Sequence, residues 1–168
     1  NYNSLMDRTF NVYTGKVDLN KTFKNKLSLE TGLKANFEND YNNTKWNLNN
    51  QSTGFFIGDT TFYNKYRFKQ HILAAYTTLA RSWDKIGFSV GLRAEETNYD
   101  ANFMSSGYRF KRNYIKLFPS GSLDFNLNKK NTITTAYSYR IRRPEYDMLN
   151  PVRVFNDQLN YGVGNPEI

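Results

Sequence analysis

From Lys26 to Phe37 the chain reads KLSLETGLKANF, and its side chains alternate in character along the whole stretch. Leu27, Leu29, Leu33, Ala35 and Phe37 share one parity, while Lys26, Ser28, Glu30, Lys34 and Asn36 share the other. Successive side chains of a β-strand point to opposite faces, so the pattern is satisfied by a strand with one apolar and one polar side. A helix would scatter both sets around its circumference. Strands of soluble domains run to about 5–6 residues, and this one is roughly twice as long. It crosses something thicker than an ordinary protein core.

The same design recurs. Residues 86–95, IGFSVGLRAE, set Ile86, Phe88, Val90, Leu92 and Ala94 against Gly87, Ser89, Gly91, Arg93 and Glu95. Residues 114–127 place Ile115, Leu117, Leu123, Phe125 and Leu127 opposite Ser120, Ser122, Asp124 and Asn126, with Pro119 on the apolar parity predicting a bulge or a break in the ladder. Residues 131–142 oppose Ile133, Tyr137, Tyr139 and Ile141 to Thr132, Thr134, Ser138, Arg140 and Arg142. In 10–20, Tyr13, Val17 and Leu19 face away from Lys16, Asp18 and Asn20; 66–81 is a sixth strand whose Ala, Thr and Tyr leave its faces undecided.

The links between these strands alternate in length. Those near 20–25, 82–85 and 127–131 are short and polar, as hairpin turns are. Those over 38–65 and 98–113, and the tail 143–168, are long, aromatic and rich in Asn. An up-and-down meander then collects its tight turns at one pole and its long loops at the other, the arrangement of outer-membrane barrels. Twelve residues at about 3.3 Å extend roughly 40 Å, or about 30 Å of height at a 40° tilt, which matches a bilayer's hydrocarbon. The expectation is an all-β, antiparallel up-and-down meander of about six long strands, with its apolar parity on lipid and its polar parity on a wet or plugged lumen. Phe10, Phe37, Trp83, Tyr99, Tyr114 and Phe125 are expected in the interfacial girdles.

Composition fits this reading. Mean hydropathy of −0.74 and the absence of any apolar run near 18 residues argue against a helical membrane protein and leave a membrane barrel open. Aromatic content of 17% suits many half-wet positions. The net charge of +8 raises nucleic acid as a partner, but the cations sit at turns or alternate with apolar residues, and no nucleic-acid module is present. There is no cysteine, hence neither a disulfide framework nor a thiolate metal site. Six strands are fewer than the roughly eight of the smallest bacterial barrels, and an open edge in lipid leaves backbone groups unpaired. Residues 1–168 are therefore expected to be a single unit, a partial barrel cut from something longer.

Residues 117–167 carry Phe118-Pro119-Ser120, Arg140 with Arg143-Pro144, Leu149-Asn150-Pro151 and Gly164-Asn165-Pro166, in that order, preceded by GLRAEETNYD at 91–100. In this ordered set the chain resembles the TonB-dependent-receptor-like outer-membrane β-barrel family of Bacteroidetes. The resemblance implies a barrel of about 22 strands, an N-terminal plug, often a carboxypeptidase-regulatory-like domain ahead of it, and a place in the bacterial cell outer membrane. It implies as partners the outer-membrane lipid, the remaining strands and plug of the parent, and through the parent the TonB complex. The function implied is energy-coupled uptake of a nutrient: a glycan, siderophore or peptide.

No catalytic, cofactor or metal constellation is expected. His71 is the only histidine and lies in a strand, and the neighbouring Glu95 and Glu96 point to opposite faces. Sequons at Asn20, Asn42 and Asn50 are expected by chance in so Asn-rich a chain. Candidate ligand contacts fall in the long connections: Trp46, Phe55, Phe56 and Tyr63, whose rings among amides suit stacking and hydrogen bonding, and Arg140, Arg142 and Arg143 at a strand end, able to attract an anion or to pair with carboxylates. The competing reading is a soluble antiparallel β-domain binding carbohydrate or protein. Its strands would break after about six residues and seal the apolar parity under a second sheet.

Overall fold

A computed structural model of the chain describes residues 2–49, 56–144, 146–151, 154–155 and 160–165. Six strands form one antiparallel sheet in sequence order: β1 (Tyr2–Thr22), β2 (Leu27–Asn49), β3 (Phe56–Ser82), β4 (Ile86–Phe103), β5 (Tyr108–Asn128) and β6 (Asn131–Ser138). A one-turn helix α1 (Tyr146–Leu149) and a small ladder of β7 (Val154–Phe155) with β8 (Tyr161–Gly162) follow. The large sheet is open, with β1 and β6 as its two edges.

The expected parity holds across the lower sheet and carries a continuous apolar band. Register places Val17, Leu33, Ala75, Ala94 and Leu117 in one row, and Leu29, Leu79, Val90, Gly121 and Tyr137 in another. These side chains are bare: Val17 is 66% exposed, Leu33 64% and Val90 59%. Among the described residues no second sheet seals them, and none of the first five strands is shorter than 18 residues, so the soluble-sandwich alternative is overturned. Exposed apolar side chains on this scale require an apolar solvent. Pairing with β2 and β4 also settles the undecided faces of β3: His71, Leu73, Ala75, Thr77 and Leu79 lie on the outward side.

The long loops expected over 38–65 and 98–113 are instead mostly strand. β2 and β3 pair up to Asn49↔Phe56, and β4 and β5 are joined by the four residues 104–107, with Gly107 at φ 69° taking the left-handed position. The backbone keeps its period of two, but the chemistry inverts. On β4 the apolar residues switch from the outward parity below Glu95 to the inward parity above it, where Thr97, Tyr99, Ala101 and Phe103 are buried. Above the band the outer side meets water and the inner side is covered, so alternation survives with opposite sign. The core sits there: Tyr66, Phe68, Tyr99, Ala101 and Phe103 close around Leu149 from α1.

Two further corrections concern the faces and the end of β6. Phe37 and Phe125 point outward and Trp83 sits exposed at a turn, as girdle residues should, but Phe10, Tyr99 and Tyr114 share the inward parity. Strand β6 ends at Ser138 rather than at 142. Tyr139 N–H donates to the Pro119 carbonyl at 3.0 Å, and Pro119 has no N–H to return. The β5·β6 ladder stops at this half-made pair, while β4·β5 runs past Pro119 in unbroken register, so the proline breaks a ladder without a bulge.

Candidate functional site

Freed from the sheet, residues 139–144 turn over the inner face. The Tyr139 ring stacks on that of Phe118, which register places across from Arg93, with centroids 5.9 Å apart. Four residues on, the Arg143 guanidinium donates to Glu95 Oε2, while Arg93 Nε donates to Oε1 at 2.5 Å. Glu95 is buried, and one carboxylate thus bridges the wall and the returning chain. Around this junction lies an open recess of about 350 Å³, lined by Arg93, Glu95, Phe118, Ser120, Ser138, Tyr139, Arg140, Ile141 and Arg143. Three guanidiniums face one carboxylate, so the recess is cationic and has an aromatic floor.

The polar belt continues along the inner wall. The Arg93 guanidinium lies 5.5 Å from the centroid of the Tyr76 ring; the Tyr76 hydroxyl donates to Asp18, which also pairs with Lys16 at 2.8 Å. Tyr76 reaches β1 by lying across β2 at Gly32, where an added Cβ would stand 2.6 Å from the Tyr76 Cζ and 2.7 Å from Asp18 Oδ1. Higher up, Arg8 grips buried Asp40 through two bonds of 3.1 and 2.8 Å, and Tyr66 donates to the same carboxylate at 3.2 Å. Asp18, Asp40, Arg93 and Glu95 were not among the expected site residues. Their signal was inward parity combined with charge, legible once the faces are fixed.

The expected contacts fall into two groups. Trp46 lies in β2, Phe56 opens β3, and Tyr63 belongs to the irregularity where residues 60–63 intervene between Asn64↔Thr44 and Asp59↔Trp46. Phe55 and the side chains of Trp46 and Phe56 lie outside the described residues. Arg140 and Arg142 are exposed on the returning segment, not on a strand end, and Arg143 is spent on Glu95. Glu95 shares a row with Lys34 of β2, twelve residues below Trp46, so the groups stand roughly 40 Å apart along the strands.

His71 is on the outward face, edge-on to Phe37 with centroids 5.2 Å apart, and so points away from the inner wall that a barrel catalyst would use. Glu96 also faces outward, accepting from Asn98 and Asn113 at 3.3 Å each. Among the described residues no three His, Cys, Asp or Glu side chains gather as a metal site.

Comparison with known proteins agrees with this geometry. Among solved structures the chain is similar to the ferric citrate transporter FecA in its unliganded form, with a TM-score of 0.53 and 15% identity, covering 76% of this chain and 20% of that one. The chain spans a fifth of that transporter's length, and at this identity the likeness concerns fold alone. No curated protein matches it. The model of the outer membrane protein beta-barrel family matches residues 1–168, the whole chain. With its lipid-facing band and polar inner wall, the chain belongs to the outer membrane protein β-barrel family and resides in the outer membrane.

Proposed function

We propose that this chain is barrel wall from an outer-membrane receptor that takes up a nutrient (a glycan, siderophore or peptide) in a TonB-dependent manner, and that it belongs to the Bacteroidetes branch its motifs resemble. The observation that carries the reading is the cationic, aromatic-floored recess on the inner wall, held open where Arg143 ties the returning chain to Glu95. A ligand path needs polar anchors on the side away from lipid, and this wall supplies them. Arg140 and Arg142 contact an anionic group of the ligand, with Arg143 positioned behind them. Trp46, Phe56 and Tyr63, far up the wall, make first contact by stacking, together with Phe55. The likeness to a ferric citrate transporter supports the transport role in outline. The wall acts by binding and guiding, without catalysis.

The test is uptake by cells carrying the whole parent protein, measured over a panel of labelled glycans, iron chelates and peptides. One class should accumulate only when the parent is present, and accumulation should stop when the proton gradient is dissipated or TonB is deleted. Arg140→Ala with Arg142→Ala should reduce uptake while leaving the amount of folded parent unchanged. Uptake indifferent to the parent, or to TonB, would overturn the proposal.

A further inference from the structure

The outward face holds a second feature, independent of the inner recess. Directly above the apolar band, register aligns Lys69, Asp100 and Lys111 in one row and Arg67, Asn102 and Arg109 in the next. All four cations are exposed. With strands about 4.8 Å apart and rows two residues apart, their backbones fit in a patch of roughly 10 by 7 Å. Asp100 is the only carboxylate in the two rows, and Arg109 and Lys111 share it at 3.2 and 3.3 Å. Arg67 lies over the Tyr41 ring at 5.7 Å, and Lys69 has no carboxylate partner among the described residues. Positive charge is in excess here, and the low-dielectric band beneath strengthens its field.

Below the patch the outward surface is hollow. Small residues at Gly15, Ala35, Ala75 and Ala94, flanked by Leu73 and Ile115, line a shallow and mostly apolar depression of about 740 Å³, with the Glu96 carboxylate at its upper rim between Leu73 and Ile115. Lys69 stands four residues, roughly 13 Å, above Leu73 along the same face of β3. The row between them carries His71, Asn98 and Asn113, and the two amides tie down the Glu96 carboxylate just below at 3.3 Å each, so this polar belt lies at the depth of glycerol or sugar hydroxyls.

From this juxtaposition we infer that Arg67, Lys69, Arg109 and Lys111, with the Ala-lined depression beneath them, form a binding site for a single phosphorylated lipid of the outer leaflet: its phosphates lie among the four cations and an acyl chain fills the hollow. A soluble anion would satisfy the cations but leave the hollow empty. A neutral lipid would do the reverse. Only an amphiphile with phosphate on its head meets both.

The experiment uses the detergent-solubilised parent protein, titrated with diphosphoryl lipid A and, separately, with lipid A stripped of phosphate. Replacing the four cations together with Gln should weaken diphosphoryl lipid A binding by at least about tenfold and leave the dephosphorylated lipid unaffected. Asp100→Asn, which removes the competing carboxylate, should tighten binding by about threefold. A large excess of inorganic phosphate should fail to displace the lipid. The control Lys129→Gln with Lys130→Gln, at the opposite pole, should have no effect. Equal binding by the quadruple variant, an equal loss in the control, or displacement by inorganic phosphate would each overturn the site. None of these readouts involves the transported nutrient, so failure here leaves the uptake proposal standing, and the converse also holds.

Discussion

Gly32 shows how much one absent side chain can hold in place. Tyr76 crosses β2 only because nothing projects from Gly32, and the crossing ties β3 to β1 through Asp18. Gly32→Ala should displace the ring and destabilise the sheet by about 1–3 kcal/mol, as inserted atoms in packed sites do. Tyr76→Phe, which keeps the ring and loses the hydrogen bond, should cost about 1 kcal/mol. Urea unfolding of the parent refolded in vesicles measures both, and Gly32→Ala being no worse than Tyr76→Phe would show that the ring position is unimportant. Asp100 makes a different kind of statement. Burial raises its carboxyl pKa, but hydrogen bonds from Arg109 and Lys111 outweigh that and hold it below the ordinary carboxylate value of 3.8. A depressed folded-state pKa contributes stability above the unfolded value and loses it as pH falls through the lower folded one. The stability gap between the parent and Asp100→Asn should therefore be present at neutral pH, at most about 1 kcal/mol for so exposed a pair, and close as the pH drops below about 4. A gap that persisted in acid would mean that the ion pairs are not its source.

Elements add constraints that no residue carries alone. The returning segment 139–144 is held by the Phe118–Tyr139 stack and the Glu95–Arg143 bond. Glu95→Gln removes the charge that balances two partly exposed guanidiniums, and losing hydrogen bonds to a charged group of this kind costs about 1–3 kcal/mol. The segment should then lift, and trypsin should cut after Arg140 or Arg142 much faster than in the unaltered parent; unchanged digestion would place the anchor elsewhere. At the opposite pole, residues 23–26 close β1–β2, with Lys26 N–H bonded to the Phe23 carbonyl at 3.0 Å and Lys26 itself at φ 62°. Left-handed backbone costs a non-glycine residue about 1–2 kcal/mol and glycine gives back about 0.4–1 kcal/mol as freedom of the unfolded chain, so Lys26→Gly should stabilise the hairpin by a net of about 1 kcal/mol, read as a shift in unfolding midpoint. Strand existence and lower-band faces were legible in the sequence because lipid imposes a single polarity on every outward side chain. The upper strands were not, because their pattern depends on which side is covered, and that cover comes from Tyr139, Arg143 and Leu149 far along the chain. Phe10, Tyr99 and Tyr114 were misplaced for the same reason: an aromatic near a strand end reads as a girdle residue only if its parity is followed through the inversion. Arg143 could not be paired with Glu95 from sequence, since the two meet only after Pro119 stops the ladder.

At the scale of the molecule, the open sheet sets the terms. Edge β1 offers a strand of 21 residues and edge β6 one of eight, so the two cannot seal each other over the full height of the wall. Unpaired backbone in hydrocarbon costs several kcal/mol per group. Expressed by itself, residues 1–168 should associate through these edges in detergent, whereas the parent should run as a single heat-modifiable species; a monodisperse monomer of the chain alone would contradict the wall reading.

The inversion above Glu95 also shapes what meets the cell's surroundings. Strand β3 spans 27 residues, roughly 90 Å of chain and about 65–70 Å of height at a 40° tilt, against a hydrocarbon slab of about 25–30 Å. More than half of this parapet stands outside the hydrocarbon, and roughly a third clears the headgroups as well, all of it cross-bonded backbone, so visitors such as antibodies, phage or nutrients encounter a stiff fence in which only the crest is free to vary.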